Sequence, residues 1–172
     1  MKQAMIDYVQ NGPNDQYSTP AYAVTPLLKY LDKSHMIWEP TDTTGAIRRV
    51  LKKNLFAVLS TNKDTHDFTG PPIDMRFDCI VTNPPYSIKD SFIESAIWYW
   101  LNMRKPWAML MPLTTLEGVR RHNLFKMIED DFGLMVFDRR IEFSEGSNWF
   151  NASWFTCGIL PKQIIFEKLI KE

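Results

Sequence analysis

The stretch DCIVTNPPYSIKD, residues 78–90, joins a short apolar run to two consecutive prolines. Residues 79–81 have the composition of a buried strand. The prolines end that strand because they lack a backbone N–H and hold φ nearly fixed. A helical pattern begins soon after Tyr86. A strand, a rigid turn and a helix in this order indicate one unit of an alternating α/β fold.

The same alternation extends along the chain. Strands are predicted at HMIWEP, LFAVLST, FDCIVT, PWAMLMPL and GLMVFD, and helices at YSTPAYAVTPLLKYLDK, TDTTGAIRRVLKKN, SIKDSFIESAIWYWLNMRK and TTLEGVRRHNLFKMIEDD. Alternating strands and amphipathic helices predict a mostly parallel sheet with helices on both faces. Only Pro161 and Lys162 separate the runs SWFTCGIL and QIIFEKL. That spacing favours a C-terminal antiparallel hairpin at the sheet edge.

The bulk composition suits one folded domain over residues 1–172, with residues 1–15 as a loosely ordered N-terminal segment. Hydrophobic residues make up 45% of the chain and aromatic residues 13%, so disorder is not expected. The formal net charge is zero. A neutral chain is not expected to grip nucleic acid strongly by charge alone, since phosphate neutralisation dominates such binding.

The cysteines and histidines give no sign of a metal site. Cys79 and Cys157 are far apart and flanked by apolar residues, as buried free thiols are. The three histidines share no metal-ligand spacing. The N-terminus has no apolar core of signal-peptide length, and no run approaches the roughly 18 apolar residues of a membrane span. We therefore expect a cytoplasmic protein with no metal and no membrane contact.

Three polar or rigid loops follow the first three predicted strands: EPTDTTG, NKDTHDF and TNPPYS. In open α/β sheets, ligands bind beyond the carboxyl ends of the strands. The sequence therefore predicts a ligand site where these loops meet.

The chemistry of TNPPYS suits an exocyclic amine on a planar base. Asn83 offers an amide oxygen, and the prolines aim and hold a carbonyl at Pro84. Two such acceptors orient an amine toward an electrophile and stabilise the charge that develops. The aromatic face of Tyr86 suits stacking on the base.

These residues resemble the adenine-N6-specific, S-adenosylmethionine-dependent DNA methyltransferases of phages and restriction–modification systems, over roughly residues 17–166. The resemblance implies a Rossmann-like class I methyltransferase fold. It also implies that Asn83, Pro84, Pro85 and Tyr86 are the catalytic motif. The family's aromatic-x-Thr-Pro segment matches residues 17–20, its Glu-Pro loop matches residues 39–45, and its acid–aromatic pair matches residues 67–68. The implied cofactor-binding residues are Tyr17, Thr19, Glu39, Pro40, Thr41, Gly45, Asn62, Asp67 and Phe68.

Two positions depart from the family pattern. Thr43 stands where the family has the first loop glycine, and Asn62 stands near the place of an acidic ribose ligand. Two alternatives therefore remain: a catalytically impaired homologue that binds nucleic acid or protein, and a methyltransferase with an RNA or protein acceptor. The segment Tyr17-Ser18-Thr19-Pro20 and its spacing to the Glu-Pro loop favour adenine.

The expected acceptor is DNA, in single-stranded form or with a protein partner. Larger relatives carry a separate target-recognition region, and the sequence leaves little room for one, so we expect low or partner-dependent sequence specificity. Basic pairs and one aromatic residue are the candidate substrate contacts: Arg120, Arg121, Arg139, Arg140 and Trp149.

Overall fold

The computed structural model describes residues 18–72, 75–143 and 151–171. The predicted loose segment over residues 1–15 lies outside these ranges. The helices are α1 (Ala21–Val24), α2 (Ala46–Lys53), α3 (Lys89–Met103) and α4 (Val119–Lys126). The strands are β1 (Met36–Glu39), β2 (Ala57–Ser60), β3 (Cys79–Thr82), β4 (Trp107–Pro112), β5 (Phe132–Phe137), β6 (Ala152–Cys157) and β7 (Ile164–Glu167). Short 3-10 helices cover Thr25–Tyr30, Tyr86–Ile88 and Leu113–Leu116.

The strands form one seven-stranded sheet in the order β2-β1-β3-β4-β6-β5-β7. β1 pairs in parallel with β2 and β3, β3 with β4, and β5 with β7. β6 runs antiparallel to both β4 and β5. All strands except β6 therefore end at the same edge of the sheet. The predicted α/β class with a mostly parallel sheet is confirmed.

The predicted C-terminal hairpin is wrong in its pairing, although an antiparallel strand is present. β6 lies between β4 and β5, and β7 pairs in parallel with the outer side of β5. Burial explains the placement: every residue of β6 is buried, whereas Ile164 and Phe166 of β7 are exposed. A strand that is apolar on both faces gains most inside a sheet, and a half-exposed strand suits its edge.

Alternate strand residues point to opposite faces and build a core on each. On one face, Ile37 and Val81 pack with residues of α1 and α2. On the other, Trp38 and Ile80 pack with α3 and α4. Helices thus cover both faces, as predicted. No helix within the described residues has the length and apolarity of a membrane span.

The N-terminal helix is shorter than predicted. α1 is only four residues long, and the chain continues as the 3-10 helix Thr25–Tyr30. Pro26 explains the change, because it has no N–H to donate to the preceding turn. The N-cap position of α1 is occupied by Pro20. The Thr19 hydroxyl accepts a hydrogen bond from the side chain of Asn83, which directly follows β3.

Candidate active site at the carboxyl edge of the sheet

Glu39 is the last residue of β1 and its side chain is buried, with 2% exposed. Its Oε1 accepts hydrogen bonds from the Thr41 backbone N–H at 2.9 Å and from Thr82 Oγ1 at 2.7 Å. The hydroxyls of Thr41 and Thr82 lie 2.6 Å apart. These contacts fix the carboxyl group between the ends of two neighbouring strands.

The second oxygen of this carboxyl group, Oε2, has no hydrogen-bond partner among the described residues. It is also buried. Burial raises the pKa of Glu39 to about 7, against the lowering effect of the bonds from Thr82 and Thr41, and nearby Asp42 raises it further. A buried carboxyl group with one unpaired oxygen is a strong candidate to meet a donor from a ligand.

Asn83 follows β3 directly and joins this cluster. Its Nδ2 donates to Thr19 Oγ1 at 3.1 Å, and its backbone carbonyl accepts from Thr41 Oγ1 at 3.2 Å. Pro84 behind it is buried, and the backbone of Pro85 has φ −57° and ψ 123°, within the fixed range of proline. Thr19, from the segment that resembles the family's aromatic-x-Thr-Pro segment, is thus in direct contact with Asn83 of the predicted catalytic motif.

Tyr86 begins the short 3-10 helix that leads into α3. Its side chain is only 5% exposed. The ring face that stacking on a base requires is therefore covered in this structure.

The loop between β1 and α2 is held by Asp42. Its Oδ1 accepts from the Gly45 N–H at 2.6 Å, and its Oδ2 lies 2.8 Å from Arg48 Nε. Gly45 has φ 69°, a left-handed conformation that favours glycine. Thr43 does not have a positive φ. The loop therefore needs a glycine at position 45, whereas position 43 accepts threonine without backbone strain.

These residues line a small polar cleft with a cavity of about 20 Å³. Its walls are Thr19, Glu39, Thr41, Asp42, Thr43, Thr44, Ala46, Ile47 and Asn83. The structure thus brings together the predicted residues Thr19, Glu39, Thr41 and Asn83, and Pro40 is buried directly after Glu39. Gly45 starts α2 beside them.

The sequence reasoning missed the supporting roles of Asp42, Thr82 and Arg48. Asp42 was visible as the acidic residue three positions before the loop glycine, a spacing typical of a side chain that accepts a bond from the loop backbone. Nothing along the chain indicated that Thr82 meets Glu39, because 43 positions separate them.

The residues predicted for the nucleoside half of a cofactor do not join this cleft. Asn62 Oδ1 accepts from the backbone N–H groups of Asp64 and Thr65, both at 3.1 Å. Asp67 Oδ1 accepts from the Thr69 hydroxyl at 2.7 Å and from the Thr69 N–H at 2.9 Å, and these bonds lower the pKa of Asp67. Both side chains thus stabilise their own turns.

Phe68 is buried, with 2% exposed, and belongs to the core under α3. Its ring stacks on Phe92 with centroids 5.0 Å apart and meets Trp38 edge-on at 5.2 Å. In this structure the ring is part of the core and not of the cleft wall.

The predicted basic residues follow β4 and β5, at the same edge as Asn83. Arg120 Nε donates to Glu94 Oε1 at 2.9 Å, and Arg121 pairs with Asp90 at 3.6 Å. Arg139 pairs with Asp138 at 3.1 Å, and Arg140 Nε donates to Asn151 Oδ1 at 2.9 Å. The other two predicted residues, Tyr17 and Trp149, lie outside the described residues.

Two of these arginines, Arg120 and Arg139, have side chains that are mostly open to solvent. The Arg120 and Arg139 side chains are 65% and 58% exposed. Exposed ion pairs contribute only about 0–1 kcal/mol, so exchanging them for phosphate contacts costs little.

No protein-family model matches the sequence, and no curated protein matches it. Solved structures do match in fold. A structure described as a modification subunit of a type I restriction enzyme from Vibrio vulnificus superposes with TM-score 0.60 at 13% identity, over 99% of this chain and 51% of the other. A class I S-adenosylmethionine-dependent methyltransferase from Listeria monocytogenes gives TM-score 0.61 at 13% identity, over 98% and 71%. A type I restriction–modification methyltransferase subunit from Streptococcus thermophilus gives 0.55 at 10% identity, over 97% and 50%.

The chain spans about half the length of the Vibrio and Streptococcus structures. The three structures share the architecture described above and little sequence. We conclude that this chain has the Rossmann-like fold of class I methyltransferases.

Proposed function

We propose that this chain transfers a methyl group from S-adenosylmethionine to the N6 amine of adenine in DNA. The observation that carries the proposal is the contact between the Asn83-Pro84-Pro85-Tyr86 turn and the Thr19–Glu39 cleft, in a fold shared with methyltransferases. The turn that we propose holds the amine thus adjoins a cleft that contains the unpaired, buried oxygen Oε2 of Glu39.

The side chains of the cleft suit the ammonium group of S-adenosylmethionine. Glu39 Oε2 is an acceptor without a described donor, and the ammonium group of the cofactor is such a donor. Thr19 and Thr41 add hydroxyls, and Gly45 lets the loop backbone approach closely. When bound, the cofactor would supply a methyl group to the amine, with a new N–C bond replacing the C–S bond and one amine proton passing to water.

The residues of this chain would contribute position and electrostatics. Asn83 and the Pro84 carbonyl would accept hydrogen bonds from the amine and aim its lone pair. Because Thr19 and Thr41 hold Asn83 in place, the amide is pre-organised before substrate enters. Tyr86 would stack on the base, which requires uncovering a ring that is 5% exposed in this structure.

Two features support DNA as the acceptor. The arginines after β4 and β5 lie at the edge where Asn83 lies, and the Vibrio and Streptococcus proteins are subunits of restriction systems. Extruding a base from a duplex costs a few kcal/mol. With zero net charge, a chain of this kind gains little from phosphates, so we propose single-stranded DNA or a partner protein that supplies affinity and specificity.

A second candidate function is a non-catalytic homologue that keeps the fold for binding. Asn62 and Phe68 favour it, because their side chains are engaged in a turn and in the core rather than in the cleft. Calorimetric titration with S-adenosylmethionine separates the two candidates. Absence of heat at high micromolar cofactor would favour the binding module.

Asn83→Ala tests the proposed mechanism. We expect transfer of tritiated methyl groups to DNA to fall by about 100-fold or more, because the amine loses its orienting acceptor. Cofactor affinity should stay within a few-fold, since the ammonium would bind to Glu39. Asn102→Ala on α3 is the matched control, because Asn102 is exposed and its side chain, among the described residues, bonds only the Trp98 carbonyl.

The same assay run on DNA, RNA and protein pools tests the acceptor. Label in DNA alone is expected. Label in RNA or protein but not in DNA would refute the acceptor, and near wild-type transfer by Asn83→Ala would refute the role of Asn83.

A further inference from the structure

The carboxyl group of Glu39 has two chemically different oxygens. Oε1 accepts from a backbone N–H and from Thr82, whereas Oε2 is buried without a described partner. Thr41 can donate to Thr82, and Thr82 can donate to Oε1, so the short hydroxyl chain ends on that oxygen. The described donors to this carboxyl group are therefore all directed to Oε1, and Oε2 accepts none of them.

No described cation neutralises Glu39. Asp42, the acidic group nearest along the loop, pairs with Arg48 and with the Gly45 N–H. Arg49 of α2 donates to the Thr44 carbonyl. From the other elements, Thr19, Thr82 and Asn83 present only uncharged groups. An ionised Glu39 would thus be a buried, uncompensated charge, which proteins avoid by protonation or by pairing.

We propose that Glu39 exchanges a proton for a primary ammonium group: the carboxyl group is protonated in the empty cleft, and the proton leaves to solvent when the ammonium of a ligand reaches Oε2. This inference rests on the proposed function, in which that ligand is S-adenosylmethionine. It adds that ligand capture is coupled to proton release and that Glu39 selects for an ammonium.

The size of the cavity supports this exchange. About 20 Å³ is enough for one water-sized group. An ammonium group is of that size and carries three donors. Its charge would compensate the carboxylate at the moment when the proton departs.

Proton exchange has a measurable consequence for affinity. Burial raises the pKa of Glu39 to about 7, so below that pH the ligand must displace a proton. The ammonium of an α-amino group stays charged up to about pH 7.5. We expect the dissociation constant to rise by up to tenfold for each pH unit below 7. The binding of each ligand should release about one proton near pH 6.

Calorimetry of the full chain in buffers of different ionisation enthalpy measures the proton count. S-adenosylmethionine and S-adenosylhomocysteine both carry the ammonium, and only the first carries a sulfonium. Both should release about one proton at pH 6 and less at pH 7.5. Methylthioadenosine lacks the ammonium and should release none. Glu39→Gln should bind the first two ligands without proton release.

Asp42→Asn provides a second variant in case Glu39→Gln does not fold. Removing the Asp42 charge lowers the pKa of Glu39, because Asp42 raises it, so the pH dependence should move to lower pH. Ligand binding by the wild type with no proton release at pH 6 would overturn the proton exchange and leave the proposed function standing. Failure of S-adenosylmethionine to bind at any pH between 5.5 and 7.5 would overturn both.

Discussion

At the scale of single residues, Glu39 should make stability depend on pH. Burial raises the pKa of Glu39 from an ordinary 4.5 to about 7 in the folded chain. The stabilisation that the protonated side chain gives to the folded state is therefore fully present below pH 4.5 and is lost as the pH rises through 7. Glu39→Gln should therefore be more stable than the wild type at pH 8, by at most roughly 3 kcal/mol. The two proteins should differ little below pH 4.5. Urea unfolding at several pH values measures this difference.

Glu117→Gln is the matched control for this prediction, because Glu117 is an exposed carboxylate. It should leave the pH dependence of the free energy of unfolding unchanged. If Glu39→Gln also leaves the pH dependence of the free energy of unfolding unchanged, burial does not raise the pKa of Glu39 and the prediction is wrong.

Thr43 illustrates how one residue is judged differently along the chain and in space. In the methyltransferase family that the sequence resembles, a glycine occupies the position of Thr43. In the structure the left-handed conformation belongs to Gly45, and Asp42 holds the loop by bonding the Gly45 N–H. A glycine is needed only where φ is positive or the backbone must approach a partner closely. The loop departs from the family pattern without strain at position 43.

At the scale of elements, β6 connects the sheet to the N-terminal segment through Trp154. This side chain is fully buried, and its Nε1 donates to the Ala23 carbonyl of α1 at 2.8 Å. Trp154→Phe should destabilise the protein by about 1–3 kcal/mol, because the carbonyl loses its donor. Trp154→Ala should cost about 3–5 kcal/mol, because it adds a cavity. Urea unfolding curves give both values.

Trp98→Phe on α3 is the control for the tryptophan substitutions, since Trp98 is 41% exposed. It should change the free energy of unfolding by less than about 0.5 kcal/mol. A similar loss in Trp98→Phe and Trp154→Phe would mean that the bond to Ala23 contributes little.

At the scale of the whole molecule, the distribution of charge decides how DNA would bind. The net charge is zero, but Arg139 and Arg140 lie at the carboxyl edge of the sheet, after β5. If they contact phosphates of single-stranded DNA, replacing both by glutamine should reduce the magnitude of the slope of log affinity against log salt by about 1.4. Fluorescence anisotropy with a single-stranded oligonucleotide over a salt series measures this slope.

Arg104 is the matched control, because it precedes β4 and so lies at the opposite edge of the sheet. Arg104→Gln should leave the slope unchanged. Equal slopes for the Arg104 and the Arg139/Arg140 variants would place the nucleic-acid surface elsewhere.

The sequence alone determined the alternation of strands and helices, the parallel part of the sheet and the edge at which the polar loops meet. These features follow from local patterns: buried strands are apolar over a few consecutive residues, helices repeat every 3.6 residues, and prolines end strands. The motif that begins at Asn83 is also a local pattern, because its four residues are adjacent in the sequence.

Only the tertiary structure decided which strands pair and which side chains meet. β6 lies between β4 and β5 because all of its residues are buried, and a two-residue gap before the next apolar run could not reveal that. Phe68 packs in the core, and Thr82 donates a hydrogen bond to Glu39. Both contacts join parts of the chain that are distant in sequence. A sequence pattern reports burial and local conformation, whereas the partner of a side chain depends on topology. The unpaired oxygen of Glu39, on which the proposed ligand chemistry depends, exists only in the folded chain.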